Sequence, residues 1–173
     1  NSFSIFLDTI KRFVDNKLIP REEEVADTNN IPNDIVEEMK NIGLFGISIP
    51  TEYGGSNLSM EQEVELTFEL GRASPAFRSM AGTNIGIGSQ TIVMSGTDEQ
   101  KSKYLPKFST GEIICSFALT EPDSGSDAMS IKTTAKKNGN KYIINGTKRY
   151  ITNAPIAGVF SVMARTKKEK SSS

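Results

Sequence analysis

The sequence of 173 residues contains no histidine and only one cysteine. Without histidine the chain cannot build Ser-His-Asp or Cys-His catalysis, and it lacks the commonest zinc ligand, so we predict no metal site. The single cysteine, Cys115, rules out an intrachain disulfide, and its place in an apolar run favours a small buried side chain. Any acid–base or redox chemistry must come from carboxylates, hydroxyls or a bound cofactor.

A strong charge of one sign and long apolar runs are also absent. The chain has 20 Lys and Arg against 21 Asp and Glu, which gives no electrostatic basis for binding nucleic acid. No apolar run approaches the ~20 residues of a membrane span, and the N-terminus has no signal-peptide pattern. These absences and the lone thiol favour a reducing compartment, the cytoplasm or, in a eukaryote, the mitochondrial matrix. The basic stretch Arg165–Lys170 is predicted to be a solvated end.

Nucleotide-binding motifs with glycine-rich loops are missing as well. No Walker sequence occurs in the chain. Gly86-Ile-Gly88 begins like a dinucleotide fingerprint, but Thr91 occupies the position of the third glycine, in a helical context. We therefore reject a Rossmann fold.

Apolar residues at helical spacing indicate helices over the first 110 residues. A second helix begins near Asn33 and ends near Gly43, a predicted C-terminal cap. The first helix runs toward Pro20 and carries an apolar stripe formed by Ile5, Phe6, Ile10, Phe13, Val14 and Leu18.

Two capping boxes, at Ser59–Gln62 and Thr97–Gln100, predict the starts of further helices. The later helix is expected to end around Pro106. Between the two, Pro75–Met94 is rich in small residues, which favours one tightly packed helix or leaves room beside a ligand. The helix after the first box carries Val64, Leu66, Phe68 and Leu70.

From Gly111 onward the spacing of apolar residues is that of strands and no longer that of helices. Asn138-Gly139 predicts a hairpin turn, and Asn145-Gly146 predicts a second turn into a third strand of a meander. The predicted strands are residues 132–137, 141–144, Thr147–Thr152 and Val159–Ala164. The fold class is therefore α+β, with an all-helical N-terminal domain over residues 1–110 followed by an antiparallel β segment over residues 111–173.

The stretch 117–127 is the strongest candidate for a binding loop. The apolar run 113–119 leads into it as a buried strand, and Pro122 then stops both helix and ladder pairing. Gly125 lets the main chain approach a ligand, and the hydroxyls and amides of Ser124 and Ser126 could hold an anionic group. An ordinary polar turn has the same composition and is the structural alternative.

Residues 119–127, Leu-Thr-Glu-Pro-Asp-Ser-Gly-Ser-Asp, resemble the flavin-domain signature of the acyl-CoA dehydrogenase family. Residues 144–153, Ile-Asn-Gly-Thr-Lys-Arg-Tyr-Ile-Thr-Asn, resemble the next flavin-contacting strand of that family. Upstream, residues 49–55 and 96–106 are similar to two further family landmarks. The resemblance implies a helical N-terminal domain and the first part of a β-barrel domain. It also implies FAD-dependent oxidation of an acyl-CoA thioester to the trans-2-enoyl-CoA.

The same resemblance assigns site residues. The expected flavin contacts are Phe117, Leu119, Thr120, Tyr150, Ile151 and Thr152, and the expected contacts with phosphate or pantetheine groups of the substrate are Gly125 and Ser126. The family often has tryptophan where this chain has Tyr150, which keeps an aromatic face. Structural roles are the alternative, because threonine and tyrosine are common strand residues.

By resemblance, the small-residue helix lines the acyl pocket through Thr83 and Ile87. Arg78-Ser79 is similar to an Arg-Ser pair of the glutaryl-CoA dehydrogenase branch, in which arginine binds the distal carboxylate of the substrate. Gly71 stands where that branch has an acidic residue. A surface arginine without a substrate role is the alternative.

The family's catalytic base comes from a C-terminal helical domain, and no carboxylate of these 173 residues matches its position. We therefore assign no catalytic residue and expect no turnover by the chain alone, as a fragment of an enzyme. Family members assemble as homotetramers, serve β-oxidation of fatty acids, and pass electrons to an electron-transferring flavoprotein. The alternatives are an acyl-CoA oxidase or monooxygenase on the same scaffold, or a non-catalytic module that binds acyl-CoA or flavin.

Overall fold

Seven α-helices precede the first strand in the computed structural model, which describes residues 2–166. The helices are α1 (Ser2–Phe13), α2 (Glu22–Thr28), α3 (Asn33–Asn41), α4 (Met60–Leu70), α5 (Pro75–Ile85), α6 (Ile87–Ser95) and α7 (Asp98–Ser109). The strands are β1 (Cys115–Ala118), β2 (Thr134–Asn138), β3 (Lys141–Asn145) and β4 (Val159–Val162). This order of a helical part followed by a small sheet region confirms the predicted α+β class.

The helical core is built on one face of each amphipathic helix. In α1 and its π-helical continuation Val14–Leu18, Ile10 and Phe13 are buried, whereas Ile5 is exposed and does not extend the stripe as predicted. Ile5 lies on the exposed face of α1, whereas the next two residues, Phe6 and Leu7, pack against the core. The large, fully buried side chains around this face include Phe45, Phe77, Ile35, Met39, Leu66 and Leu70.

Both capping boxes form as predicted. The Ser59 hydroxyl accepts from the Gln62 amide at 3.3 Å, and the Thr97 hydroxyl accepts from the Gln100 amide at 3.2 Å. The predicted end of α7 at Pro106 is wrong, because the helix continues to Ser109. Pro106 removes one backbone N–H donor from the helix. The Ser109 hydroxyl donates to the Pro106 carbonyl at 2.9 Å and stabilises the last turn.

The small-residue stretch forms two helices, so the prediction of one helix over Pro75–Met94 is wrong. Gly86, at φ −110° and ψ −105°, leaves helical geometry and separates α5 from α6. The expectation of close packing is confirmed, because a Cβ placed on Gly88 would lie 2.4 Å from the Cys115 Sγ atom. Small residues here let β1 approach the helices directly.

The strands form two pairs that do not close into a barrel within residues 2–166. β2 and β3 form the expected antiparallel hairpin, but its two-residue loop is Gly139-Asn140, one position later than predicted, with Gly139 at φ +59°. β1 and β4 pair in parallel, not antiparallel, because the long segment between them returns the chain in the same direction.

The predicted strand Thr147–Thr152 does not form, and the meander of three strands is therefore wrong. Tyr150 has φ +58°, a left-handed conformation that interrupts an extended ladder. Arg165, predicted as part of a solvated end, is instead half-buried and donates to the Ile131 carbonyl at 2.6 Å. Residues 167–170 of that basic stretch and the C-terminal serines lie outside the described residues.

Asn84 joins α5 to the start of the sheet region. Its amide nitrogen donates to the carbonyls of Phe108, at 3.1 Å, and Ile113, at 2.9 Å, and its oxygen accepts from the Cys115 amide at 2.8 Å. Asn84 and Cys115 are fully buried, and burial raises the pKa of the Cys115 thiol to about 12. The thiol is thus an inert core group, as predicted.

We expect Asn84→Leu, a change of similar volume, to lower the free energy of unfolding by about 3 kcal/mol, because three buried backbone groups lose their partner. Urea unfolding at pH 7 measures the change. The exposed Asn16→Leu serves as control and should shift the free energy by less than about 0.5 kcal/mol. A loss below about 1 kcal/mol for Asn84→Leu would show that water replaces the amide.

Candidate functional site

The two sequence blocks predicted to contact one ligand lie side by side. The Arg149 amide donates to the Thr120 carbonyl at 2.9 Å, and the Ser116 hydroxyl donates to the Thr152 carbonyl at 2.7 Å. These bonds place the end of β1 and the loop that follows it against residues 147–153. The juxtaposition required by the sequence hypothesis is therefore present.

A buried ion pair fastens the two blocks together. The Lys148 ammonium donates to a Glu121 carboxylate oxygen at 2.9 Å and to the Leu119 carbonyl at 2.8 Å. The side chains are only 5% (Glu121) and 12% (Lys148) exposed. Sequence analysis did not predict this pair, although each of its residues lies within one of the two motif blocks.

The environment of Glu121 favours its ionised form. Burial by itself raises the pKa of the carboxyl group, but hydrogen bonds from the amides of Lys132 and Thr133 and from the Lys148 ammonium outweigh it. Together they lower the pKa from 4.5 to about 2. Glu121 is thus ionised at neutral pH.

The loop after Glu121 is internally bonded and open at its tip. The amide of Glu121 donates to the Ser124 carbonyl at 2.8 Å, and the Ser124 hydroxyl donates to the Asp127 carbonyl at 2.6 Å. Gly125 and Ser126 are exposed, and a Cβ on Gly125 would meet nothing within 4 Å. This tip has room for a ligand group, as an ordinary turn would also have.

The two blocks carry backbone amides without hydrogen-bond partners and one exposed aromatic ring. The amides of Leu119 and Thr120 donate to no other group within residues 2–166. Tyr150 is 78% exposed, and the Arg149 guanidinium lies 4.4 Å from its ring centroid. Phe117 and Ile151 are partly buried beside them. The arrangement offers hydrogen-bond donors and apolar surface to a flat polar ring system.

Helix α5 contacts the second block, residues 144–153. Ser79 and Thr83 lie one turn apart, and the Thr83 hydroxyl accepts a hydrogen bond from the Asn153 amide at 2.9 Å. Ile87 lies beyond the break at Gly86 and is exposed. The structure therefore brings Ser79 and Thr83 next to the second block, but gives Ile87 no contact with that block.

Arg78 points into a different place, a groove of about 470 Å³ between α4 and α5. Arg72 shares the groove but forms ion pairs with Asp15 and Glu69. No ion pair engages Arg78 within residues 2–166, and its guanidinium lies beside Gly82. Three exposed apolar side chains line the groove: Met60, Val64 and Phe68. Sequence analysis had assigned the last two to the helix after the first capping box.

Comparison with known proteins identifies the family. The family model "Acyl-CoA dehydrogenase, N-terminal domain" matches residues 3–112, and "Acyl-CoA dehydrogenase, middle domain" matches residues 116–173. The chain belongs to the acyl-CoA dehydrogenase family.

Individual relatives of the chain agree with this assignment. Mitochondrial isovaleryl-CoA dehydrogenase of Pongo abelii is 39% identical over 160 residues, which are 91% of this chain and 38% of the relative. A glutaryl-CoA dehydrogenase of Mycobacterium smegmatis, solved with FADH2, has a TM-score of 0.88 at 32% identity, over 96% of this chain and 43% of that one. A structure described as the electron transferring flavoprotein of Acidaminococcus fermentans has a TM-score of 0.89 at 33% identity, over 96% and 44%.

The chain thus spans about two fifths of the length of these relatives. Each helix among residues 2–166 is too short or too polar to cross a bilayer.

We expect the Glu121 pair to make stability fall in acid. Because the folded-state pKa lies below the ordinary 4.5, ionised Glu121 stabilises the fold above pH 4.5, and this contribution disappears as the pH falls toward 2. Glu121→Gln should lose about 3 kcal/mol at pH 7 and little at pH 2.5, measured by urea unfolding.

The control is Asp123→Asn in the same loop, since Asp123 pairs with Lys132 on the surface and both side chains are largely exposed. Its effect should stay below about 1 kcal/mol at either pH. Equal losses for Glu121→Gln at pH 7 and pH 2.5 would contradict an electrostatic role.

Proposed function

We propose that these residues form part of the flavin and substrate sites of an enzyme that oxidises an acyl-CoA thioester to the trans-2-enoyl-CoA. The observation that supports this most directly is the contact between the two motif blocks, which carry amides without hydrogen-bond partners and an exposed aromatic ring. Bound FAD supplies the acceptor for the hydride that leaves the β-carbon. Within this chain, we propose a helical domain over residues 1–110 and a partial β domain over residues 111–173.

The residues present fit a flavin. Leu119 and Thr120 offer amides without other partners, and the Thr120 and Thr152 hydroxyls add further polar groups. Phe117, Tyr150 and Ile151 offer apolar surface to a planar ring. The role of these residues is to bind and orient the ring system, while the Glu121–Lys148 pair fixes the backbone that carries the amides.

The substrate is assigned to α5 and to the loop tip. Ser79 and Thr83 face the second block, so a thioester held between them would adjoin the flavin residues. Gly125 and Ser126 form the open tip, to which we assign phosphate or pantetheine groups of coenzyme A. Ile87 is placed at the edge of the acyl site, since it is exposed beyond α5.

The groove at Arg78 supports a substrate whose acyl chain ends in an anion. Its walls combine the apolar Met60, Val64 and Phe68 with polar side chains, and Arg78 is a cation with no ion-pair partner among the described residues. The similarity to a glutaryl-CoA dehydrogenase points to the same class of dicarboxylyl-CoA. Glu63 also lines the groove, and burial raises the pKa of its carboxyl group.

Proton abstraction requires a positioned base, and we assign none to these 173 residues. The chain alone is therefore proposed to be inactive and to bind FAD weakly. In the whole protein we propose a homo-oligomer, an electron-transferring flavoprotein as electron acceptor, a role in β-oxidation, and a cytoplasmic or mitochondrial-matrix location. The mitochondrial relative and the presence of a single, buried cysteine support the last of these.

We expect Tyr150→Ala to weaken FAD binding by about fivefold, because an aromatic contact contributes roughly 1 kcal/mol. Titration of FAD with the chain, followed by flavin fluorescence, measures the dissociation constant. Tyr150→Trp, which supplies a larger aromatic face, should retain the affinity. Tyr142→Ala on β3 removes a tyrosine that is also exposed and serves as control. Equal weakening by both alanine variants, or no FAD binding to the wild type, would contradict the assigned site.

We expect Arg78→Leu to weaken binding of glutaryl-CoA by about tenfold and leave butyryl-CoA unaffected, because only the former carries a distal carboxylate. Calorimetric titration of the chain compares the two ligands. Arg72→Leu is the matched control, since Arg72 lines the same groove but is already paired. An unchanged preference in Arg78→Leu would return Arg78 to the role of a surface residue.

A further inference from the structure

The last residue of the second block, Asn153, is bonded to helix α5. Its amide nitrogen donates to the Met80 carbonyl and to the Thr83 hydroxyl, each at 2.9 Å, with the Ser79 carbonyl at a long 3.5 Å. Asn153 has φ +62°, in the left-handed region. The chain therefore turns back at this residue with its side chain directed onto the helix.

This contact differs from the one made by Asn84. The amide of Asn84 is fully buried and bonds to the end of α7, to Ile113 and to the first residue of β1, so it belongs to the permanent core. Asn153 is only partly buried, and it follows Tyr150–Thr152, most of which is exposed. A segment with so little cover can be ordered further by a ligand.

Asn153 joins two groups of residues assigned to different ligands. Three positions before it lies Tyr150, assigned to the flavin, and its hydrogen-bond partner Thr83 is assigned to the substrate. Thr83 is only 4% exposed, so its hydroxyl depends on protein partners for hydrogen bonds. The Thr83 hydroxyl is thus oriented by Asn153, which directly follows the residues assigned to the flavin.

We propose that Asn153 is a positioning residue that couples occupancy of the flavin site to the order of helix α5. A ligand that fixes Tyr150–Thr152 also fixes the Asn153 amide, and the amide in turn holds Thr83 and the Met80 carbonyl. By linkage, a substrate that orders α5 then binds more tightly when flavin is present. The inference depends on the proposed flavin site and adds a route between that site and the substrate helix.

Two substitutions distinguish the effect of the Asn153 side-chain amide from that of the backbone conformation at this position. Asn153→Asp keeps the shape but replaces the donor with an acceptor that cannot bond to the Met80 carbonyl. Asn153→Gly keeps the left-handed backbone without strain and removes the side chain. Thr83→Val removes the hydroxyl acceptor from the helix side at similar volume and provides a third, independent variant.

The test is hydrogen exchange of the α5 amides, with and without FAD at a concentration that saturates the flavin fluorescence change. In the wild type, FAD should slow exchange at residues 80–85 by about tenfold, a typical coupling factor. In Asn153→Asp, Asn153→Gly and Thr83→Val, FAD should slow it by less than about twofold. Asn57→Gly, at an exposed asparagine with φ +46°, should behave as the wild type.

Each outcome decides the matter. If FAD slowed hydrogen exchange in α5 of Asn153→Gly as much as in the wild type, the backbone and not the Asn153 side chain would carry the effect. This result would overturn the proposal. FAD binding to the wild type without slower exchange in α5 would overturn it while leaving the flavin site intact. No FAD binding at all would overturn the proposed function and this coupling together.

Discussion

The site depends on the burial of one carboxylate. Glu121 is almost completely removed from water, and an ionised carboxylate in that position needs partners for its oxygens. Two adjacent backbone amides and the Lys148 ammonium provide them. Lys148 lies 27 positions after Glu121 in the sequence. The hydrogen bond between them therefore fixes two distant segments of the chain next to each other. The geometry of the open amides at Leu119 and Thr120 follows from that constraint.

Helix α5 is the second organising element, because it contacts the sheet region through polar side chains. Asn84 holds the entry to β1, and Asn153 reaches the helix from the second block. Close approach is possible because glycine replaces larger residues where helix and strand meet, as at Gly88. Directional hydrogen bonds fix the orientation of the packed elements, whereas apolar contact alone would tolerate small shifts.

Local features were predictable from the sequence, and non-local ones were not. The boxes at Ser59 and Thr97 involve residues three positions apart, so their sequence signature contains the whole interaction. The hairpin at Gly139 was located to within one residue, because asparagine flanks the glycine on both sides. The parallel pairing of β1 with β4 depends on the path of some forty intervening residues, which periodicity does not encode.

The candidate site shows the same division. Family resemblance located both blocks, and their contact is confirmed, but the Lys148 pair and the Asn153 bond arise only when the segments meet in space. Arg78 and Ser79 are neighbours in sequence, yet successive helical residues point about 100° apart. Arg78 therefore enters the groove beside α4, while Ser79 faces the second block.

That separation has a chemical consequence. Under the proposed function, a ligand would have its reacting carbons near the flavin residues and its far end in the groove, which Arg78 enters about 100° around α5 from Ser79. The exposed Met60, Val64 and Phe68 of the groove have no role in the helical core, and their exposure costs free energy unless something covers them. Under the proposed function an acyl chain would provide that cover, with a terminal carboxylate beside Arg78. The same helix would then hold both the residues next to the second block and the arginine that meets the far end of the substrate.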